Sequence, residues 1–123
     1  MKRVMCKSKI HRATVTDANL AYEGSVSIDG TLLDAADIQE YEQVHVVNIA
    51  NGARFETYAM RAPANSGDVV VNGAAARLVQ PGDAVIIFSY ASYDEAELEF
   101  FAPTFIFVDA ENRIASRAAR RTA

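Results

Sequence analysis

A single cysteine, Cys6, excludes an internal disulfide and a cysteine-based zinc site. Histidine is almost as scarce: His11 and His45 are the only two, which argues against a His-rich metal site. No apolar run approaches the roughly 20 residues that span a bilayer as a helix, so no membrane partner is expected. Residues 1–7 are basic, but Ser8, Lys9 and His11 follow where a signal peptide needs an apolar stretch. The expectation is a cytoplasmic protein. Positive charge is also in deficit. Twelve Lys and Arg stand against sixteen Asp and Glu, a net −4, and such a chain lacks the electrostatic footprint of a nucleic-acid binder. The exception is the end of the chain, where Arg113, Arg117, Arg120 and Arg121 cluster. From about residue 110 to 123 a solvated, flexible tail is expected.

What is present is a core. Half of the 123 residues are hydrophobic, which makes the chain globular and, at this length, one domain over residues 1–123. A chain of this size buries roughly two thirds of its unfolded surface, enough for one core without staples.

The apolar pattern is mostly that of strands. Residues 3–15 mix Val4, Cys6 and Ile10 with Lys7, Lys9 and His11, an imperfect alternation that predicts a strand with a bulge or a change of face. Residues 16–19 read as a turn. Residues 20–28 read as extended, interrupted at Gly24, where a glycine inside a strand pattern marks a bulge or a close backbone approach. Asp29-Gly30 reads as a turn and residues 32–38 as a short helix. The β-branched residues Val44, Val46, Val47 and Ile49 predict a strand over 41–50. Asn51-Gly52 predicts a type I′ hairpin, because both residues accept positive φ. In the partner strand, 53–60, alternation puts Arg54, Glu56 and Tyr58 on one face and Phe55, Thr57 and Ala59 on the other. Residues 62–67 read as a loop and 68–71 as a buried strand. Asn72 reads as the N-cap of a helical turn over 74–78. A turn at 81–83, a core strand over 84–90, an acidic short helix over 93–100 and a last strand over 104–108 complete the pattern. Many short strands with Gly and Asn turns indicate a small β-barrel.

One stretch stands out by its company. Tyr22-Glu23-Gly24-Ser25 is unremarkable alone, since Gly-Ser usually marks a turn. It is preceded by Lys9-Ile10-His11-Arg12 and followed by Asn51-Gly52-Ala53-Arg54-Phe55-Glu56-Thr57-Tyr58 and Val71-Asn72-Gly73-Ala74-Ala75-Ala76. In this order, in so short a chain, these segments resemble the pyruvoyl-dependent aspartate 1-decarboxylase family over residues 1 to about 103. The resemblance implies a six-stranded double-psi β-barrel with short helices, packed as a homotetramer with active sites at subunit interfaces. It implies self-cleavage between Gly24 and Ser25, which yields a β-chain of residues 1–24 and an α-chain of residues 25–123. It also implies decarboxylation of L-aspartate to β-alanine for pantothenate biosynthesis, with no metal and no pyridoxal phosphate.

The roles that the resemblance assigns make chemical sense. Ser25 Oγ attacks the Gly24 carbonyl carbon, the amide becomes an ester, and β-elimination with hydrolysis leaves a pyruvoyl group at residue 25. Gly24 has no Cβ to obstruct the attack. A strained peptide yields more readily, and strain of about 1–3 kcal/mol per unusual torsion is typical. Thr57 is assigned the oxyanion of this step, a contribution of about 3–4 kcal/mol. The pyruvoyl carbonyl takes the amine of aspartate as a Schiff base and serves as electron sink. Tyr58 is assigned as proton donor. Arg54, with its planar fork, and Lys9 are assigned to the substrate carboxylates. Thr57, Asn72, Gly73, Ala74 and Ala75 complete the substrate pocket, where the N–H groups opening a helix suit an anion. Read from the residues alone, Lys9 is a solvated strand residue, Tyr58 an ordinary strand aromatic, Glu23 a solvated turn residue and His11 a structural histidine. The competing reading is a non-enzymatic β-barrel scaffold in which Gly24-Ser25 stays intact. Whether cleavage is spontaneous or needs a maturation partner is open at this level.

Overall fold

The computed structural model describes residues 1–118. Nine strands form among them: β1 (Lys2–Thr14), β2 (Asp17–Asn19), β3 (Val26–Asp29), β4 (Gln43–Asn48), β5 (Arg54–Ala62), β6 (Val69–Asn72), β7 (Ala84–Asp94), β8 (Thr104–Val108) and β9 (Ile114–Ala118). Two short helices, α1 (Gly30–Ala36) and α2 (Glu95–Leu98), and a 3-10 segment (Gly73–Leu78) connect them. The architecture is mainly β, as the sequence indicates. The spatial order is β2-β6-β3-β5-β4-β7-β1-β8-β9.

The long β1–β7 antiparallel ladder is the spine. It breaks register between Cys6 and Ser8 and between Ile10 and Ala13, the irregularity that the broken alternation of β1 predicts. Arg12, at the second break, takes φ +64°. Three pairings are parallel: β1 with β8, β2 with β6 and β3 with β5. Parallel neighbours need crossovers, which interlock the chain. Ile10, Ile28, Leu33, Val44, Ile87 and Ile106 are fully buried and form the centre of one core. The ladder is open between β2 and β9, and the curvature is compatible with a small barrel. Asn112, buried in the β8–β9 turn at φ +60°, reaches across the gap. Its Nδ2 donates to the carbonyls of Gly67 (2.8 Å) and Thr14 (2.9 Å), and its Oδ1 accepts from Thr14 N–H at 2.7 Å.

Local readings are corrected in several places. Residues 17–19 form a strand where the sequence suggests a turn, because β6 offers a parallel partner. The extended segment before Ile28 starts only at Val26. The Asn51-Gly52 hairpin exists, but Gly52 alone has positive φ (+74°), so its turn is not type I′. Gly52 N–H bonds Asn48 O, and Asn48 N–H bonds Ala53 O, closing a longer loop. Tyr93 and Asp94 belong to β7, and the acidic helix shrinks to Glu95–Leu98 behind an Asp94 capping box. The tail expected to be loose from about 110 instead pairs Ile114–Ala118 with β8. Residues 119–123 of that expectation lie outside the described residues.

Asp29-Gly30 is a helix start rather than a simple turn. The buried Asp29 caps α1 by accepting from Thr31 N–H at 2.8 Å, and it also accepts from Asn65 N–H and Gly67 N–H at 2.9 Å each. Burial pushes this carboxyl up, but the Gly67, Thr31 and Asn65 donors outweigh it and hold the group below its ordinary value. A depressed carboxylate adds stability at pH values above its unfolded pKa, and that stability is lost as pH falls through the folded value. Asp29→Asn is expected to lower stability at pH 7 by about 1–3 kcal/mol. In urea titrations the gap from the parent should narrow as pH drops below about 4. A constant gap across that range contradicts the assignment.

Candidate active site

β3 and β6 fix the ends of the site. Val26 pairs with Val71, which brings Ser25 beside Asn72. Asn72 N–H donates to Ser25 O at 2.9 Å. Asn72 Nδ2 donates to Ser25 Oγ at 3.1 Å and to Ser27 Oγ at 3.2 Å. This corrects the expected N-cap, since Asn72 makes no capping bond to the 3-10 segment behind it. The amide instead fixes the serine hydroxyl oxygen.

The backbone at this point is unusual. Gly24 has φ +128° and Ser25 φ +83°, two adjacent residues outside the regions that L-residues prefer. Gly73 explains part of the geometry. A Cβ there would lie 2.8 Å from Gly24 Cα and N and 3.2 Å from Tyr22 O. Only a glycine lets the corner after β6 pack directly against the Gly24 backbone.

Ser25 is 5% exposed, and what it exposes faces a cavity of about 670 Å³. Asn19, Ala21, Tyr22, Glu23, Gly24, Tyr41, Tyr58 and Met60 complete the lining. A second cavity of about 430 Å³ shares Asn19, Tyr22, Ser25 and Met60 with the first and adds Ser27 and Asn72. The residues present therefore fit a group formed at position 25: a strained peptide, a hydroxyl held by an amide donor, and open volume beside it.

The structure brings together Gly24, Ser25, Tyr58, Asn72 and Gly73. It does not bring the other candidates to this cavity within one chain. Lys9 sits on β1 between β7 and β8, its Nζ 4.7 Å from the Phe105 ring centroid. Arg54 lines a separate pocket of about 110 Å³ with His45 and Glu56. Thr57 pairs with Val44, is half-buried and lies on the face of β5 opposite the exposed Tyr58, as alternation predicts. Ala74 is exposed and Ala75 packs toward the core; neither lines the two cavities. Glu23 lines the first cavity without a hydrogen bond from its side chain among the described residues. His11 packs edge-on against Phe107 with its Nδ1 buried and without a hydrogen-bond partner among the described residues. Burial, then the charges of Lys9 and Arg12, lower its pKa and favour the neutral ring. The sequence gives no functional signal at Tyr41, which reads there as the first residue of the 41–50 strand, whereas β4 starts only at Gln43 and leaves Tyr41 in the turn before it.

Comparison with known proteins decides the family. The family model described as aspartate decarboxylase matches residues 1–115. A protein of Heliobacterium modesticaldum named aspartate 1-decarboxylase is 58% identical over 123 residues, covering 100% of this chain and 93% of the relative. Relatives of the same name from Methylobacillus flagellatus (59% identity, 93% of this chain, 90% of the relative) and Syntrophobacter fumaroxidans (58%, 92% and 91%) agree. The chain belongs to the aspartate decarboxylase family. The stretch matched by the aspartate decarboxylase model runs from β1 into the first residues of β9 and contains every candidate residue named above. Among the described residues no helix is long and apolar enough to cross a membrane, and no group of three or more His, Cys, Asp or Glu side chains is placed to hold a metal.

Proposed function

We propose that this protein cuts itself between Gly24 and Ser25 and then decarboxylates L-aspartate to β-alanine and CO2, feeding pantothenate biosynthesis in the cytoplasm. The observation that carries this reading is the pair of positive-φ residues at the scissile bond, with Ser25 Oγ held by Asn72 beside an open cavity. Ser25 Oγ attacks the Gly24 carbonyl carbon, and the amide C–N bond gives way to an ester. The strained torsions lower the cost of leaving the amide, and the Asn72 Nδ2 amide, which donates to Ser25 Oγ, favours charge developing there. A pyruvoyl group left at residue 25 would supply a carbonyl for the substrate amine and an electron sink for the pair that remains at Cα when CO2 departs.

The chain's own residues do the rest. Tyr58, exposed at the cavity, returns a proton to the substrate Cα. Arg54 and Lys9 bind the two carboxylates, Thr57 holds the oxyanion during cleavage, and Asn72 with the Gly73–Ala75 backbone orients the substrate. Lys9, Arg54 and Thr57, like Ala74 and Ala75, lie outside the two cavities that Ser25 lines in their own chain. That separation, and the exposed Tyr22 and Tyr41 lining the cavity, support a homotetramer whose neighbouring subunits complete each site. A purified chain that cleaves alone needs no maturation partner.

Arg54→Lys tests the carboxylate assignment. It keeps the charge and loses the fork, so kcat/KM for aspartate should fall about 10–150-fold. Chain cleavage, which involves no substrate, should proceed as in the parent. Mass spectrometry and β-alanine chromatography on one sample read both. Parental kinetics would remove Arg54 from the site, and loss of both steps would make its role structural.

A further inference from the structure

Tyr41 is held in a conformation that tyrosine avoids. Its φ is +69°, in the left-handed region where a bulky side chain is an outlier. The residue is 72% exposed in the single chain, so packing within the chain does not account for the strain. The backbone around it is pinned on both sides. Tyr41 N–H donates to Ala59 O at 2.7 Å, and Ala59 N–H donates to Glu42 O at 3.0 Å. The Glu42 carboxylate is clamped in turn by Lys7 at 2.9 Å, by Gln39 N–H at 3.0 Å and by the Ser89 hydroxyl. The outcome of this network is a ring that lines the Ser25 cavity and stacks on Tyr58, with centroids 6.1 Å apart and planes 20° from parallel. Strain kept by surrounding structure, at a cavity, points from conformation to function.

We infer that Tyr41 is a positioning residue that fixes the Tyr58 ring through this stack, so that Tyr58 is held in one orientation at the cavity it shares with Gly24 and Ser25. The inference rests on the reading of Tyr58 as proton donor. The side chain of Tyr41 needs only its ring for this task; its hydroxyl is not required. Aromatic pairing of this kind restricts a half-exposed ring to one orientation, and its loss is worth about a two- to twelve-fold drop in a step that depends on that orientation.

The test uses the full chain with Tyr41→Asn, Tyr41→Phe and Tyr58→Phe. Asparagine accepts the left-handed conformation, so Tyr41→Asn removes the ring while easing the backbone. It should cleave as the parent does by intact mass and melt no lower than the parent. Its kcat for β-alanine formation should fall about two- to twelve-fold, and Tyr41→Phe should restore it. A readout independent of turnover comes from 13Cζ-tyrosine NMR of the uncleaved Ser25→Ala chain, with the Tyr58 signal identified by its loss in Tyr58→Phe. That signal should shift in Tyr41→Asn and return toward its place in Tyr41→Phe. Parental kcat and an unmoved Tyr58 signal in Tyr41→Asn would overturn the inference, as would a Tyr41→Phe protein as slow as Tyr41→Asn. A slow Tyr58→Phe beside a parental Tyr41→Asn removes this inference alone. A Tyr58→Phe protein with parental kcat removes the proton-donor reading and the inference with it.

Discussion

Ser25→Ala should remain one chain of 123 residues and form no β-alanine. The reason is chemical rather than structural. Without Oγ nothing attacks the Gly24 carbonyl, no ester forms, and no carbonyl group arises at residue 25. The fold should survive the change. Asn72 loses one acceptor, but its amide still donates to Ser27 Oγ and its N–H still bonds the residue 25 carbonyl. Alanine at φ +83° is no more strained than serine. A neutral hydrogen bond contributes about 1 kcal/mol, so the melting temperature should move by only a few degrees. The expected result is therefore a folded, uncleaved, inactive protein. An uncleaved Ser25→Ala protein that still makes β-alanine would end the account of the cofactor.

Gly73→Ala should have the second-largest effect, on maturation. The new Cβ would meet backbone atoms of Gly24 at 2.8 Å, and backbone cannot step aside as a flexible side chain can. The corner after β6 and the scissile peptide must separate, which pulls Ser25 away from the Asn72 amide. A displacement of about 1 Å can cost 10²-fold in a step that depends on near-attack geometry, and cleavage should slow by about that factor. The residue's own φ of +72° adds about 1–2 kcal/mol of strain for alanine. Gly82→Ala separates the two contributions. Gly82 has φ +96° with nothing within 4 Å of a Cβ among the described residues, so its substitution carries strain without a clash. It should lose a similar amount of stability and still cleave at the parental rate. If a time course of intact mass finds Gly73→Ala cleaving as fast as Gly82→Ala, the Gly73–Gly24 contact does not hold the scissile peptide.

Strand content was legible because β-branched and apolar residues recur with period two, and the bulge in β1 was legible because that period fails there. The faces of β5 also followed from alternation, including the separation of Thr57 from Tyr58. Features set by partners distant in the chain were not legible. Asp17–Asn19 became a strand because β6 lies alongside, and Ile114–Ala118 because β8 does. Asn112 ties the β8–β9 turn to Thr14 and Gly67 through bonds spanning 98 and 45 residues. At the site, Gly24 and Ser25 could be singled out by their neighbours in sequence, whereas the Asn72–Ser25 bond could not. Asn72 carries the local signature of a helix cap, and tertiary pairing of β3 with β6 redirects its amide to the serine. Tyr41 left no local signal, because its conformation is imposed by Ala59 and the Glu42 clamp.

The central claim is that this chain generates its own carbonyl group at residue 25. Intact mass of the purified parent protein, before and after incubation, tests it most directly. Two chains, residues 1–24 and 25–123, should appear, the larger with a blocked N-terminus. Their summed mass should equal the precursor plus one water less one ammonia. A single intact chain that turns over aspartate, or two chains whose sum gains a whole water, would contradict it.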